Sequence, residues 1–170
     1  MRLLGRVGSP QAAVAVLTAI SAGYLVLVVL GNITDYGTNH AFVRHVLAMD
    51  TTFRSPGTAY RAITDPTAVT VAYVLIIAWE AATALVLSAA LVAWVRGKAA
   101  ARRLSSLGWV MQALLFGGGF VVIGGEWFQM WQSQDWNGLA AAYRNLAVAV
   151  LGLVLLHSST RPGDRPDAER

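Results

Sequence analysis

Apolar residues fall along the chain in four long blocks separated by short polar segments, a pattern that predicts membrane-spanning helices rather than half-exposed strands or surface helices. Residues 7–34 contain no charge, and residues 12–30 are a dense run of Val, Leu, Ala and Ile able to cross roughly 30 Å of hydrocarbon. That run is longer than a signal-peptide core of roughly 7–15 residues and ends without a small-x-small cleavage pattern, so it reads as a span. The second block runs from about residue 66 to 94, with Asp65 placed to cap it and Pro66 at the first helical position, where a missing N–H leaves no bond unmade. Its one ionisable residue is Glu80. Residues 104–125 are again uncharged, and the fourth block must begin before Arg144, because residues 145–160 alone are short for a span.

The predicted fold is therefore an all-α membrane protein: a four-transmembrane-helix bundle with spans at about residues 11–31, 66–95, 104–128 and 138–157. The loop after the first span carries Phe42, Val43, Val46 and Leu47 on one helical face, with Arg44 and His45 off it, which predicts a short interfacial helix. The tail, residues 158–170, is rich in Pro, Asp and Arg and is expected to be disordered and cytoplasmic.

Composition adds one constraint. With 56% hydrophobic and 13% charged residues, the chain carries about half the charge of a soluble domain, and its core is the bundle itself. The net charge of +4 does not point to nucleic acid, because the basic residues sit in the segments between apolar blocks. Nine of the 13 flank the spans on one side: Arg2 and Arg6, Arg96, Lys98, Arg102 and Arg103, then Arg161, Arg165 and Arg170. The positive-inside rule then predicts both termini in the cytoplasm of a bacterial inner membrane, with the loop at residues 32–65 outside. Trp94 and Trp109 fit an aromatic belt on the cytoplasmic side, and Trp127, Trp131 and Trp136 one on the outer side.

Candidate chemistry is sparse. Cysteine is absent, which excludes disulfides, thiolate metal ligands and cysteine nucleophiles. Glu80 lies 14 residues beyond Pro66, roughly 20 Å along the helix, and an ionisable group at that depth is a functional candidate by default. It reads equally as a proton or cation relay and as a bundle-facing group that fixes packing by hydrogen bonding. Glu126 and Arg144, late in span three and early in span four, are expected to form an ion pair, with Gln129, Gln132 and Asn137 as the wall of an outward polar pocket in the alternative. His40, His45 and Asp50 are of metal-ligand type at intervals of five, not the three or four of a helical ligand pair, and are expected to be solvated or capping groups. His157 has no second transmembrane histidine with which to hold a haem. No catalytic constellation, metal or cofactor is expected. Gly117 and Gly124 give span three a face of small residues, suited first to packing within the chain and otherwise to a protein partner or homo-oligomer.

Three stretches carry a resemblance. HAFVRHVLAMDTTF (residues 40–53), YVLIIAWEAATALVL (73–87) and above all GGGFVVIGGEWFQMWQSQDWNG (117–138) resemble the signature blocks of an uncharacterised bacterial family of predicted small integral membrane proteins, built around one domain of unknown function. The resemblance covers about residues 15–156. It implies a four-helix inner-membrane protein and no catalytic assignment. The function expected from the sequence is a non-enzymatic accessory or interaction subunit of a membrane complex, with an oligomeric channel or a proton- or ion-coupled transporter using Glu80 as the alternative.

Overall fold

The computed structural model describes residues 9–158. Arg2, Arg6, Arg161, Arg165 and Arg170 lie outside the described residues, as does the expected disordered tail beyond Ser158. Every regular element described is helical: α1 (Pro10–Thr34), α2 (Tyr36–Ala48), α3 (Pro66–Val95), α4 (Ala100–Ala113) and α5 (Leu139–Ser158). A π-helical segment, Leu114–Trp127, continues α4 without interruption. Four helices are long and apolar enough to cross a membrane: α1, α3, α4 with its π segment, and α5.

Local chemistry sets the helix ends. Ser9 accepts a hydrogen bond from the Ala12 N–H at 3.2 Å and Asp65 from the Ala68 N–H at 2.7 Å, each just before a proline at the first helical turn. These caps satisfy amide donors that no helical carbonyl can reach. α2 stops where Met49 turns into the left-handed region at φ 51°.

The four long helices pack as a ring in the order α1, α3, α4, α5, with α5 closing back on α1. α2 follows α1 almost directly, separated from it by a kink at Asp35. It then runs antiparallel along the first turns of α3: Tyr36 meets Tyr73 at 4.8 Å between ring centroids, His40 meets Thr70, and the Leu47 carbonyl accepts from the Ile63 N–H. Val43 is buried against Val69 and Tyr73. α2, the segment at residues 49–65 and the segment at residues 128–138 together cover one end of the bundle, here the capped end. The other end carries the short turn at residues 96–99.

The half of the bundle towards the short turn is densely filled. Trp109 is fully buried, its Nε1 donates to Ser21 Oγ at 3.1 Å, and its ring lies so close to Gly152 that a Cβ there would come within 2.5 Å. Thr18, Ser105 and Trp94 form a second hydrogen-bonded cluster beside it. The aromatic-belt expectation for Trp109 is thus corrected. α4 begins at Ala100, with Arg102 and Arg103 inside its first turn, so Trp109 lies roughly 14 Å into the helix rather than at its mouth.

Candidate functional site

Two helix stripes bring a carboxylate and an amide together inside the bundle. α1 buries Val14, Thr18, Ser21, Leu25 and Asn32, and α3 buries Val69, Tyr73, Glu80, Thr83 and Leu87, positions three, four or seven apart that lie on one face of each helix. The two stripes run antiparallel and meet at Asn32 and Glu80, which are 4% and 3% exposed. Asn32 Nδ2 donates to Glu80 Oε2 at 2.6 Å. Its Oδ1 accepts from Asn39 Nδ2 at 2.6 Å and from the Tyr73 hydroxyl at 3.3 Å, and the same hydroxyl lies 3.4 Å from the Asn32 carbonyl. The orientation of the Asn32 amide follows from these neighbours, since only its NH2 can serve an ionised carboxylate and only its oxygen can serve two donors. Among the described residues, the second oxygen of Glu80 accepts no hydrogen bond and no Lys, Arg or His pairs with the carboxylate.

Both irregularities of the helical framework lie beside this pair. The kink at Asp35 falls one turn beyond Asn32. On the facing side, the π segment hydrogen-bonds five residues back, as the Phe128 N–H does to the Ile123 carbonyl at 3.0 Å. The extra residue per turn brings Leu115, Gly119 with Phe120, Gly124 and Phe128 onto a common side, a grouping that α-helical geometry would scatter.

The space left between these elements is a cavity of about 280 Å³. Glu80, Asn32 and Asn39 supply its polar groups, and Tyr24, Phe42, Tyr73, Phe116 and Phe120 contribute five aromatic rings. Phe42, Val43, Ile76 and Phe120 also bound a neighbouring apolar chamber of about 220 Å³, lined further by Val46, Leu47, Ile123 and Met130. The arrangement offers one deeply placed anionic or hydrogen-bonding group among aromatic side chains. It has the chemistry of a binding site and lacks a nucleophile beside a base.

The other sequence candidates are arranged differently. Glu126 and Arg144 are both exposed and form no ion pair, a correction to the expected bridge. The interface between the π segment and α5 is made by Gly117 against Leu146 and Gly125 against Leu139, and Glu126 and Arg144 point off that interface. The same contacts pack Gly117 and Gly124 within the chain, the first use expected of that face, against Leu146 and Met130. Gln129, Gln132 and Asn137 stitch the cap rather than line the cavity. Gln129 donates to the Glu126 carbonyl, Gln132 joins Gln129 at 3.0 Å and accepts from the Phe53 N–H at 2.8 Å, and Asn137 accepts from the Leu139 N–H at 3.0 Å at the start of α5.

His45 and Asp50 meet at 2.7 Å, with the imidazole stacked on Trp136 at 4.3 Å, whereas His40 turns to Thr70 at 3.2 Å. The structure thus brings two of the three possible ligands together and separates the third. No group of three or more His, Cys, Asp or Glu that could hold a metal occurs among the described residues. Of the polar residues joined around this cavity, the sequence singles out Glu80 but not Asn32, Asn39 or Tyr73. The available signal was the stripe from Val14 through Thr18, Ser21 and Leu25 to Asn32, whose next step after four apolar or small residues is an amide.

Comparison with known proteins places residues 11–159 within a family model described as "Predicted small integral membrane protein (DUF2165)". No curated protein and no solved structure matches the chain.

Proposed function

Because the chain belongs to this family of small integral membrane proteins, we propose that its function is to take up a proton or cation at Glu80 from the capped end, in the manner of a proton- or ion-coupled transporter. One observation carries the proposal: a carboxylate 3% exposed, within a membrane-spanning helix, has an amide and, among the described residues, no basic group as its partner. In a low-dielectric bundle such a group needs neutralising by a proton or an entering cation, which is why intramembrane carboxylates mark ion and proton pathways. In the sequence, nine of the 13 basic residues flank the spans on the side of the short turn, and by the positive-inside rule this supports an outward-facing cavity.

The test is uptake into proteoliposomes containing the purified full chain. Glu80-dependent acidification of an entrapped pH dye is expected in the wild type and absent in Glu80→Gln. Equal flux in both proteins would end the proposal. The same variant separates it from the accessory-subunit expectation, because an accessory subunit would copurify with its partner whether or not residue 80 can ionise.

A further inference from the structure

Resting on that reading of Glu80, we infer that the ligand of the cavity is a lipophilic organic ammonium ion, held by the carboxylate at one side and by aromatic faces around it. Three features of the site select this class. First, Glu80 is the cavity's one ionisable carboxylate among the described residues, and its second oxygen is unengaged by them, which leaves an anionic contact for a cation. Second, the walls are rich in rings: Tyr24, Phe42, Tyr73, Phe116 and Phe120 come from four different parts of the fold and converge on one space. Aromatic faces carry negative potential and attract ammonium groups, most strongly where water is excluded.

Third, the oxygen atoms on offer do not suit a metal ion. Asn32 Oδ1 is already occupied by Asn39 and Tyr73, and Asn32 Nδ2 turns a donor towards the carboxylate. A bare sodium or calcium ion would find too few free oxygens to replace its hydration shell, which takes six or more for calcium. A substituted ammonium ion needs no such shell. The cavity volume of about 280 Å³ is just below the roughly 300–1,000 Å³ usual for small-molecule sites, which suits a small cation of about ten heavy atoms. The adjoining apolar chamber, which shares Phe42, Val43, Ile76 and Phe120 with it, gives longer apolar substituents somewhere to extend.

The experiment titrates benzyltrimethylammonium and its neutral isostere neopentylbenzene, which differ only in a nitrogen replaced by carbon, into the full chain in phosphatidylcholine nanodiscs. Binding is followed by calorimetry. The ammonium compound is expected to bind the wild type at least about tenfold more tightly than the neutral one, a preference of about 1.4 kcal/mol. Glu80→Gln should abolish the preference. Phe120→Leu, which keeps an apolar wall but removes a ring, should weaken the ammonium compound several-fold while leaving the neutral one unchanged. The comparison of the two ligands on unmodified protein needs no variant to fold, and thermal unfolding of each variant checks the others. Equal affinity for both ligands, or no binding of the ammonium compound, overturns the organic-cation assignment. If proton uptake still depends on Glu80 in that event, the reading of Glu80 stands without it. If that uptake is missing too, both fail.

Discussion

Both halves of the bundle bury polar groups, and they use them in opposite ways. Towards the short turn, Thr18, Ser21, Ser105, Trp94 and Trp109 pair with one another, and apolar atoms fill the space around them. Towards the cap, Asn32, Asn39, Tyr73 and Glu80 also form a connected set, but the set ends on a carboxylate with one oxygen unengaged and a cavity in front of it. Hydroxyl and indole groups can close a network on themselves, because each both satisfies and is satisfied by a neutral neighbour. A carboxylate without a cation leaves its network open. The first half therefore reads as scaffold and the second as site.

The largest effect should come from disturbing the filled half. Gly152→Ala would place a methyl group within 2.5–2.7 Å of three atoms of the fully buried Trp109 ring, which has no free space into which to withdraw. A loss of about 3 kcal/mol is expected, at the upper end for overpacking, read as a shift in reversible unfolding by denaturing detergent. Gly108→Ala meets Cδ2 and Cγ of Leu87 instead, at 2.5 and 2.6 Å, a branched side chain that can turn to another rotamer where a fused ring cannot, and should lose about 1–2 kcal/mol. Equal losses would mean that the Trp109 side is no more rigid than the Leu87 side.

Next in size is the open half. Asn32→Leu removes the partner of Glu80 and an acceptor used by Asn39 and Tyr73. Side-chain hydrogen bonds inside membrane bundles are worth about 0.6 kcal/mol on average and up to about 1.7, so three lost together should destabilise by about 1.5–2 kcal/mol. Glu80→Gln keeps an oxygen for Asn32 Nδ2 and removes only the ability to ionise, so it should cost less than about 1 kcal/mol while eliminating uptake. This pair of variants sharpens the contrast between the halves: a site residue is one whose loss is felt in function far more than in folding. Should Glu80→Gln unfold as readily as Asn32→Leu, the carboxylate is structural.

How much of this could be read from the sequence depended on whether a feature used one helix or two. Four apolar blocks and a lone Glu80 in the second are properties of single segments, and the bilayer's thickness sets their length, so both were legible. The network around Glu80 was not, because Asn32 near the end of an apolar run and Tyr73 near the start of another each pass for interfacial residues until α1 and α3 are set in register. The π segment was hidden for a different reason. Gly117 and Gly124, seven apart, share a face of an α-helix, but the wider π turn regroups the segment around Leu115, Phe120, Gly124 and Phe128. Trp109 was misplaced because charge density suggested a span beginning after Arg103, whereas the helix itself begins at Ala100.

The smallest effect expected is also the sharpest contrast with sequence reasoning. Glu126 and Arg144 invite pairing by charge and by similar distance from the cap, and an intimate pair would make the loss of either partner worse than the loss of both. In the structure both side chains are exposed, Glu126 on the rim beside Trp127 and Arg144 off the face of α5 that carries Ala142, Leu146 and Ala149. Contacts that are not made cannot couple. Glu126→Gln, Arg144→Gln and the double variant should therefore show losses that add to within about 0.5 kcal/mol, the usual limit for independent sites. Denaturing-detergent titration of the four proteins measures this directly. A coupling above about 1 kcal/mol would show that the two charges meet in the bilayer, and would move part of the candidate polar surface from the cavity to the outside of the bundle.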